Sequence, residues 1–434
     1  MVLNFFILTQ FSVLCIISKE MFIYEILATI IFTILLPFYY IVRVVQKKYL
    51  YGWREKLGFF TPPDLGNKII MLHGVSVGEV IALENLTKKI KETFPDYKIV
   101  VTTGTKTGQD IAKKKYEKIA DYITYFPFDV PFAVKSFLNK INPTVVLIAE
   151  TELWPDFAYR CKKMDIPLFV INGRISDSTF NAYRRMKFFF KHILKNYAGL
   201  YTQSIEDRDK LIAIGAAPEN TEFMGNLKFD IKKLDVSIDI GKGENKLIIA
   251  GSTHKGEDEI VLEAFKNVKQ KVSNAKLLLA SRHIERIPDI EELVKNTGLT
   301  YGFRSKGDTF KDKDIILLDT MGELGKMYSI CDFAFIGGSF NNTGGHNPLE
   351  AAVYNKPVIT GPCIHNFKDI YGILTHTNAG KLVKTPQELE NQMLKLLEDE
   401  KYYNDAQNDC FKVFEAQKGA LDFVINKLQK VLQA

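Results

Sequence analysis

The sequence predicts an α/β chain of two domains, each a parallel sheet wound by helices, behind an apolar amino-terminal segment. Three observations carry this. From Lys68 onward, short apolar runs of strand length alternate with amphipathic stretches of helix length. Turns rich in Gly, Ser and Thr stand directly after those runs, as at 74–78, 104–108, 251–253 and 337–345. The length of 434 residues, 46% of them hydrophobic, exceeds the about 250 to 300 residues that a single core serves. The boundaries expected are 1–50 for an anchor, 51–235 for the first domain and 236–434 for the second.

Met1 to Ser18 carries no charge, and Ile26 to Val42 is a second uncharged run. The second run is near the lower limit of about 17 residues for a membrane span and is followed by Arg43, Lys47, Lys48, Arg54 and Lys56. It reads as an anchor helix whose basic carboxyl end faces the cytoplasm. No small-residue cleavage site follows either run, which disfavours a signal peptide. Met21 stands between the two, and Met1 to Glu20 is set apart from the fold.

Charged residues make up 25% of the chain, the net charge is +6 and the pI about 8.7. That mild excess suits anionic headgroups or phosphorylated substrates, and with no basic tail or aromatic-basic array it argues against nucleic acid. The five cysteines lack C-x-x-C spacing, so neither a disulfide framework nor a zinc site is indicated.

In the first half, Ile69-Ile70-Met71-Leu72 opens the sheet and His73 to Glu79 follows it into a helix reaching about Phe94. Lys98 to Thr102, Thr144 to Ala149, Pro167 to Ile171 and Leu200 to Thr202 repeat the pattern. Polar residues collect at the strand ends, the rim that holds ligands in open α/β sheets. Glu79 suits a helix first turn and equally a general base. Glu150 and Glu152 flank one strand end, where neighbouring carboxylates raise the pKa of one. Lys228, in GNLKFD, follows a short strand; alone it would pass for a surface lysine.

Ile231 to Asn245 is charged, carries Gly241 and Gly243 and lacks an apolar period, which marks a linker. Lys246 to Ala250, Lys276 to Ala280, Ile315 to Leu318 and Phe333 to Ile336 are the strands expected beyond it. After the first comes Gly251-Ser252-Thr253-His254 and a helix start with Glu257, Asp258 and Glu259, acids that would compete with a bound phosphate. Arg282 offers a fork for phosphate or an ion pair with Glu285. Thr320 and Glu323 fit a capping box. In Phe333 to Pro362, Gly337-Gly338 permits a turn closed to residues with a Cβ, and Gly344-Gly345 brings bare backbone close to a ligand. Asn347 as N-cap, Pro348 as first helical residue and Glu350 three after the cap would aim amide N–H groups at that loop. Pro386 to Leu432 reads as solvated helical cover.

The ordered blocks HGVSVGE (73–79), TTGTKTG (102–108), YFPFD (125–129), ETELWP (150–155), NGRIS (172–176), GNLKFD (225–230), GSTH (251–254) and GGHNPLEA (344–351) resemble the bacterial 3-deoxy-D-manno-octulosonic acid (Kdo) transferases. The resemblance runs from about Met21 to Asp369. It implies two Rossmann-like domains facing a central cleft, the B-type glycosyltransferase (GT-B) architecture. It also implies inverting transfer of Kdo from CMP-Kdo to a lipid A precursor at the cytoplasmic face of the inner membrane, with no cofactor and no obligatory metal. The resemblance makes Glu79 the catalytic base, with Glu150 and Lys228 assisting the transition state. CMP would be held by Ser281 and Arg282, by Met321, Gly322 and Glu323, and by Asn347, Pro348, Leu349 and Glu350. Ser281 stands where the family often has proline, and Met1 to Glu20 lies outside the pattern. The competing readings are a heptosyltransferase or nucleotide-sugar epimerase of the same architecture, and a silent membrane-attached binder of sugar nucleotides. The set Glu79, Glu150 and Lys228 speaks against the last.

Overall fold

The computed structural model describes residues 24–26, 28–35, 51–231, 233–234 and 238–433. The chain forms two compact units, Met1–Asp230 with Gln417–Ala434, and Ile231–Ala416.

The first unit carries β1 (Ile69–Gly74), β2 (Lys98–Thr103), β3 (Tyr122–Tyr125), β4 (Val145–Ala149), β5 (Leu168–Gly173), β6 (Gly199–Thr202) and β7 (Thr221–Phe223). They pair in parallel in the order β3-β2-β1-β4-β5-β6-β7. The apolar runs are unbroken because both faces are covered. Ile69 and Met71 point into one core with Phe137 and Phe157, while Ile70 and Leu72 point into the other with Leu83, Leu86 and Ile90. Chain order reverses between β1 and β4, so their carboxyl ends open the crevice of this sheet.

The second unit carries β8 (Lys246–Thr253), β9 (Ala275–Ser281), β10 (Tyr301–Phe303), β11 (Ile315–Leu317), β12 (Phe333–Ile336), β13 (Val358–Thr360) and β14 (Gly380–Leu382). The sheet is again parallel, in the order β10-β11-β9-β8-β12-β13-β14, and its switch point lies between β8 and β12. The linker segment 231–245 forms no helix or strand among its described residues.

Two expectations are corrected. The second domain does not run to residue 434, because the helix Ala420–Leu432 returns to the first unit. It lays Ala420, Val424, Ile425 and Leu428 against the helix Val77–Thr93 and the core beneath it. Its apolar stripe shows that one face is buried but not which domain buries it. The helix Pro386–Glu398 likewise buries Leu389, Met393 and Leu396 in the second unit's core, so this region is more than solvated cover.

The second correction concerns the anchor. Residues 24–26 and 28–35 are helical, and among the described residues no helix is long and apolar enough to cross a membrane. Met1 to Glu20, and Leu27 and Leu36 to Val42 of the apolar run, lie outside the described residues. The described part docks on the first unit: the Tyr24 hydroxyl donates to Asp129 Oδ2 at 2.9 Å, and Arg160 Nη2 pairs with Glu25 Oε1 at 2.8 Å.

Candidate active site

At the carboxyl end of β1 the chain turns through Val75 and Ser76 into the helix Val77–Thr93. Glu79, in its first turn, is buried, with 8% of its surface exposed. Its Oε2 accepts the Val75 N–H at 2.7 Å and its Oε1 accepts the Ser76 hydroxyl at 2.8 Å. The first-turn role is therefore realised. It does not exclude the other role, since a carboxylate oxygen that accepts one hydrogen keeps a second acceptor position.

Glu150 follows β4 with φ 56°, a left-handed backbone that side chains rarely adopt and that concentrates at functional sites. Its N–H donates to the Ile171 carbonyl at 2.9 Å. Two residues on, burial raises the Glu152 carboxyl to about 7, with Glu79 and Glu150 adding to the shift. The fold thus gathers three carboxylates from two strand ends. The loop that carries two of them is held at both sides: Thr151 Oγ1 accepts the Arg174 N–H at 2.8 Å, and Asp129 accepts the N–H groups of Asp156 and Phe157 at 3.1 and 2.8 Å.

Lys228 sits on the short turn Leu227–Phe229, half-buried and without an ion pair among the described residues. Side chains from the neighbouring strand ends fix this turn. Asn172 Oδ1 accepts the Leu227 N–H at 3.0 Å, Asn226 Oδ1 accepts that of Lys228 at 3.0 Å, and Asn226 Nδ2 donates to Gln203 at 2.6 Å. The turn also contacts the helix that bears Glu79.

In the second unit the glycine pairs serve the protein itself. A Cβ on Gly337 would meet the Ser252 carbonyl oxygen at 2.5 Å, and one on Gly344 would meet the His365 ring at 2.4 Å, so the expected close approach of bare backbone is to other chain segments. The amides after Gly337 are also taken. Glu257 accepts the N–H groups of Gly338, Ser339 and Phe340 at 2.6, 2.7 and 2.8 Å, and that of His254 at 2.9 Å. A carboxylate of the chain fills the seat that a phosphate would otherwise take.

The helix expected at Pro348 is a single turn, Leu349–Ala352, too short for a sizeable dipole. Asn347 does cap it, its Oδ1 accepting the Leu349 N–H at 3.1 Å. Glu350 does not return to the Asn347 backbone; it meets the Asn347 side-chain amide at 3.5 Å and stays exposed. Arg282 is also exposed, and its expected ion pair with Glu285 does not form; His283 approaches that carboxylate instead, at 3.5 Å. Desolvation by the surrounding protein raises the Glu350 carboxyl, against the lowering effects of the Asn347 amide and of nearby Arg282. Ser281 Oγ is engaged locally, accepting from Arg286 Nη1 at 3.2 Å. Met321 is 82% exposed beside Gly322, and Glu323 accepts from Thr320 and, at 3.3 Å, from Arg304. Pro348 and Leu349 are buried.

The family described as 3-deoxy-D-manno-octulosonic-acid transferase (kdotransferase) matches residues 51–231, and glycosyl transferases group 1 matches residues 230–412. The 3-deoxy-D-manno-octulosonic acid transferase of Haemophilus influenzae is 31% identical over 426 residues, 95% of this chain and 99% of that protein. The chain belongs to the Kdo transferase family. A bifunctional glycosyltransferase/methyltransferase of Fusobacterium nucleatum is 38% identical over 355 residues; they make up 79% of this chain but only 54% of that protein. Among solved structures, a UDP-GlcNAc 2-epimerase from Neisseria meningitidis shares the fold, with a TM-score of 0.53 at 14% identity over 84% of this chain and all of that one. The C-terminal CMP-Kdo binding domain of WaaA from Acinetobacter baumannii is 28% identical, with a TM-score of 0.39, over 40% of this chain and 91% of that domain.

Within this Kdo transferase-family fold, Glu79 and Glu150 come together on the first unit's rim, and Arg282, Asn347 and Glu350 on the second's. Residues 321–323 make no hydrogen bond to that second group among the described residues. Sequence reading missed the anchoring roles of Asp129 and Glu257 and a contact between His254 and His346. His73, which opens the first motif, is structural: it stacks on Phe126 at 4.0 Å, and burial lowers its imidazole to about 3.

Proposed function

We propose that the chain transfers Kdo from CMP-Kdo to the tetraacylated lipid A precursor in lipopolysaccharide core biosynthesis, with inversion and without an obligatory metal or cofactor. The observation that carries this is the 31% identity, over nearly the full length of both chains, to a protein named for Kdo transfer. In the single displacement, a hydroxyl oxygen of the acceptor bonds to the anomeric carbon of Kdo. The bond from that carbon to the phosphate oxygen breaks and CMP leaves with the electron pair.

The acceptor's proton passes to Glu79, because a sugar hydroxyl is a poor nucleophile without a carboxylate to receive it. Negative charge grows on the leaving phosphate, and Arg282, without an ion pair among the described residues, is the cation offered to it on the second unit, with Lys228 assigned to assist the transition state. Glu150 acts beside Glu79 from its strained backbone position. CMP is held by Arg282 with Ser281, by Met321 to Glu323, and by Asn347 to Glu350, the exposed carboxylate of Glu350 accepting from ribose hydroxyls.

The proposed location is the cytoplasmic face of the inner membrane, as a membrane-associated protein. Supporting it are the exposed Met186 and Phe188, at 50% and 68%, among Arg184, Arg185, Lys187 and Lys191. The donor assignment is tested by calorimetry with CMP, UDP and ADP. Binding of CMP at least tenfold tighter than of the others supports it, and preference for UDP or ADP refutes it.

A further inference from the structure

Two histidines with no role so far meet in the second unit. His254 follows β8 and His346 precedes the turn Leu349–Ala352; their Nε2 atoms lie 2.9 Å apart and their ring planes 10° from parallel. Two imidazole nitrogens at that distance need one proton between them, so one ring donates Nε2–H and the other accepts. In a neutral pair the donor ring has then spent its only proton and has a bare Nδ1, while the acceptor ring carries N–H at Nδ1. Neither Nδ1 has a partner among the described residues, and neither is a buried orphan. The pair therefore presents one donor and one lone pair. With one more proton it keeps the Nε2–H···Nε2 contact and presents two Nδ1–H donors and a positive charge.

The surroundings suit an anion. Arg282 is exposed and has no ion pair among the described residues, and His283 stands edge-on to His254 at 5.5 Å between ring centroids. Arg286, the other guanidinium facing His254, is committed to Asp258. Glu257, the carboxylate that faces both rings, is committed to four backbone N–H groups. Burial, then His254 and Arg282, hold the His346 imidazole down to about 4, and burial lowers His254 as well. Without a ligand the pair is neutral at neutral pH, and an anion placed beside it reverses the balance.

We infer that the His254–His346 pair takes up one proton as the nucleotide's phosphate seats beside it and Arg282, changing a one-donor surface into a cationic two-donor one. This rests on the CMP-donor reading above. It makes donor binding proton-linked, with affinity falling as pH rises.

The test is calorimetric titration of CMP into the full chain near pH 8, in buffers of different ionisation enthalpy, so that the phosphate is already a dianion. The expected result is net uptake approaching one proton per CMP, none with cytidine, and an affinity that falls up to about tenfold per pH unit. His346→Gln and, as a second variant, His254→Gln should abolish the uptake and weaken CMP about tenfold near pH 7 while keeping the wild-type urea midpoint. Wild-type CMP binding without proton uptake, or unchanged uptake in a folded glutamine variant, overturns the inference and leaves the donor reading standing. Absence of CMP binding by the wild-type chain overturns both.

Discussion

Glu257 Oε1 accepts the Ser339 N–H at 2.7 Å across 82 positions of sequence, and the same carboxylate also accepts from Gly338 and Phe340. One buried side chain thus satisfies the backbone where β12 ends. Glu257→Ala would leave several buried N–H groups unpaired at about 1 to 3 kcal/mol each, so a loss of about 3 kcal/mol or more is expected. Because the empty seat is shaped for an oxyanion, added sulfate should recover part of that loss. Urea melts with and without sulfate read both; a loss under about 1 kcal/mol would show that the seat is not what orders the loop.

Glu79→Gln keeps an oxygen for the Val75 N–H and should fold. Transfer should fall by about 10² to 10⁴ while CMP affinity is unchanged, the signature of losing a proton acceptor on the other substrate. Retention of more than about a tenth of the wild-type turnover would reduce Glu79 to its first-turn hydrogen bonds.

Glu350 separates a nucleotide contact from a cap. Asn347 makes the capping bond, so Glu350→Ala should cost less than about 1 kcal/mol in stability. CMP binding should weaken by about 1.5 to 3 kcal/mol, the loss of a charged hydrogen-bond partner. An unchanged CMP dissociation constant beside a lowered urea midpoint would reverse the assignment.

The parallel sheets were legible because β1, β4, β8 and β12 are unbroken apolar runs, each followed by small or polar residues. The capping role of Asn347 was legible because it needs only local spacing. What was not legible depends on partners distant in sequence. Glu257 reads as an ordinary acidic helix start until the fold brings Gly338 to it, and His254 and His346 are 92 positions apart. The stripe of the helix Ala420–Leu432 announces a buried face without naming the unit that buries it. Glu79 was legible as a position, but its residue type fits both a helix first turn and a base, and the fold realises the first while leaving room for the second.

Glu152 gives a pH signature. Its folded carboxyl titrates at about 7, above the ordinary 4.5, so between those values the folded state holds the proton more tightly. The stability this contributes is complete below about pH 4.5 and is lost as pH rises through about 7. Glu152→Gln should therefore flatten the decline in urea midpoint across that window, with its largest gain over wild type at the alkaline end. A variant whose profile parallels the wild type would mean that Glu152 is solvated and ordinary.

The most direct measurement is the mass of a tetraacylated lipid A precursor after incubation with the purified chain, EDTA and either CMP-Kdo, a UDP-sugar or an ADP-sugar. The account predicts that the lipid gains Kdo from CMP-Kdo alone, with CMP released in equal amount and no loss of rate in EDTA. No gain with CMP-Kdo, or a gain from the UDP- or ADP-sugar, would contradict it.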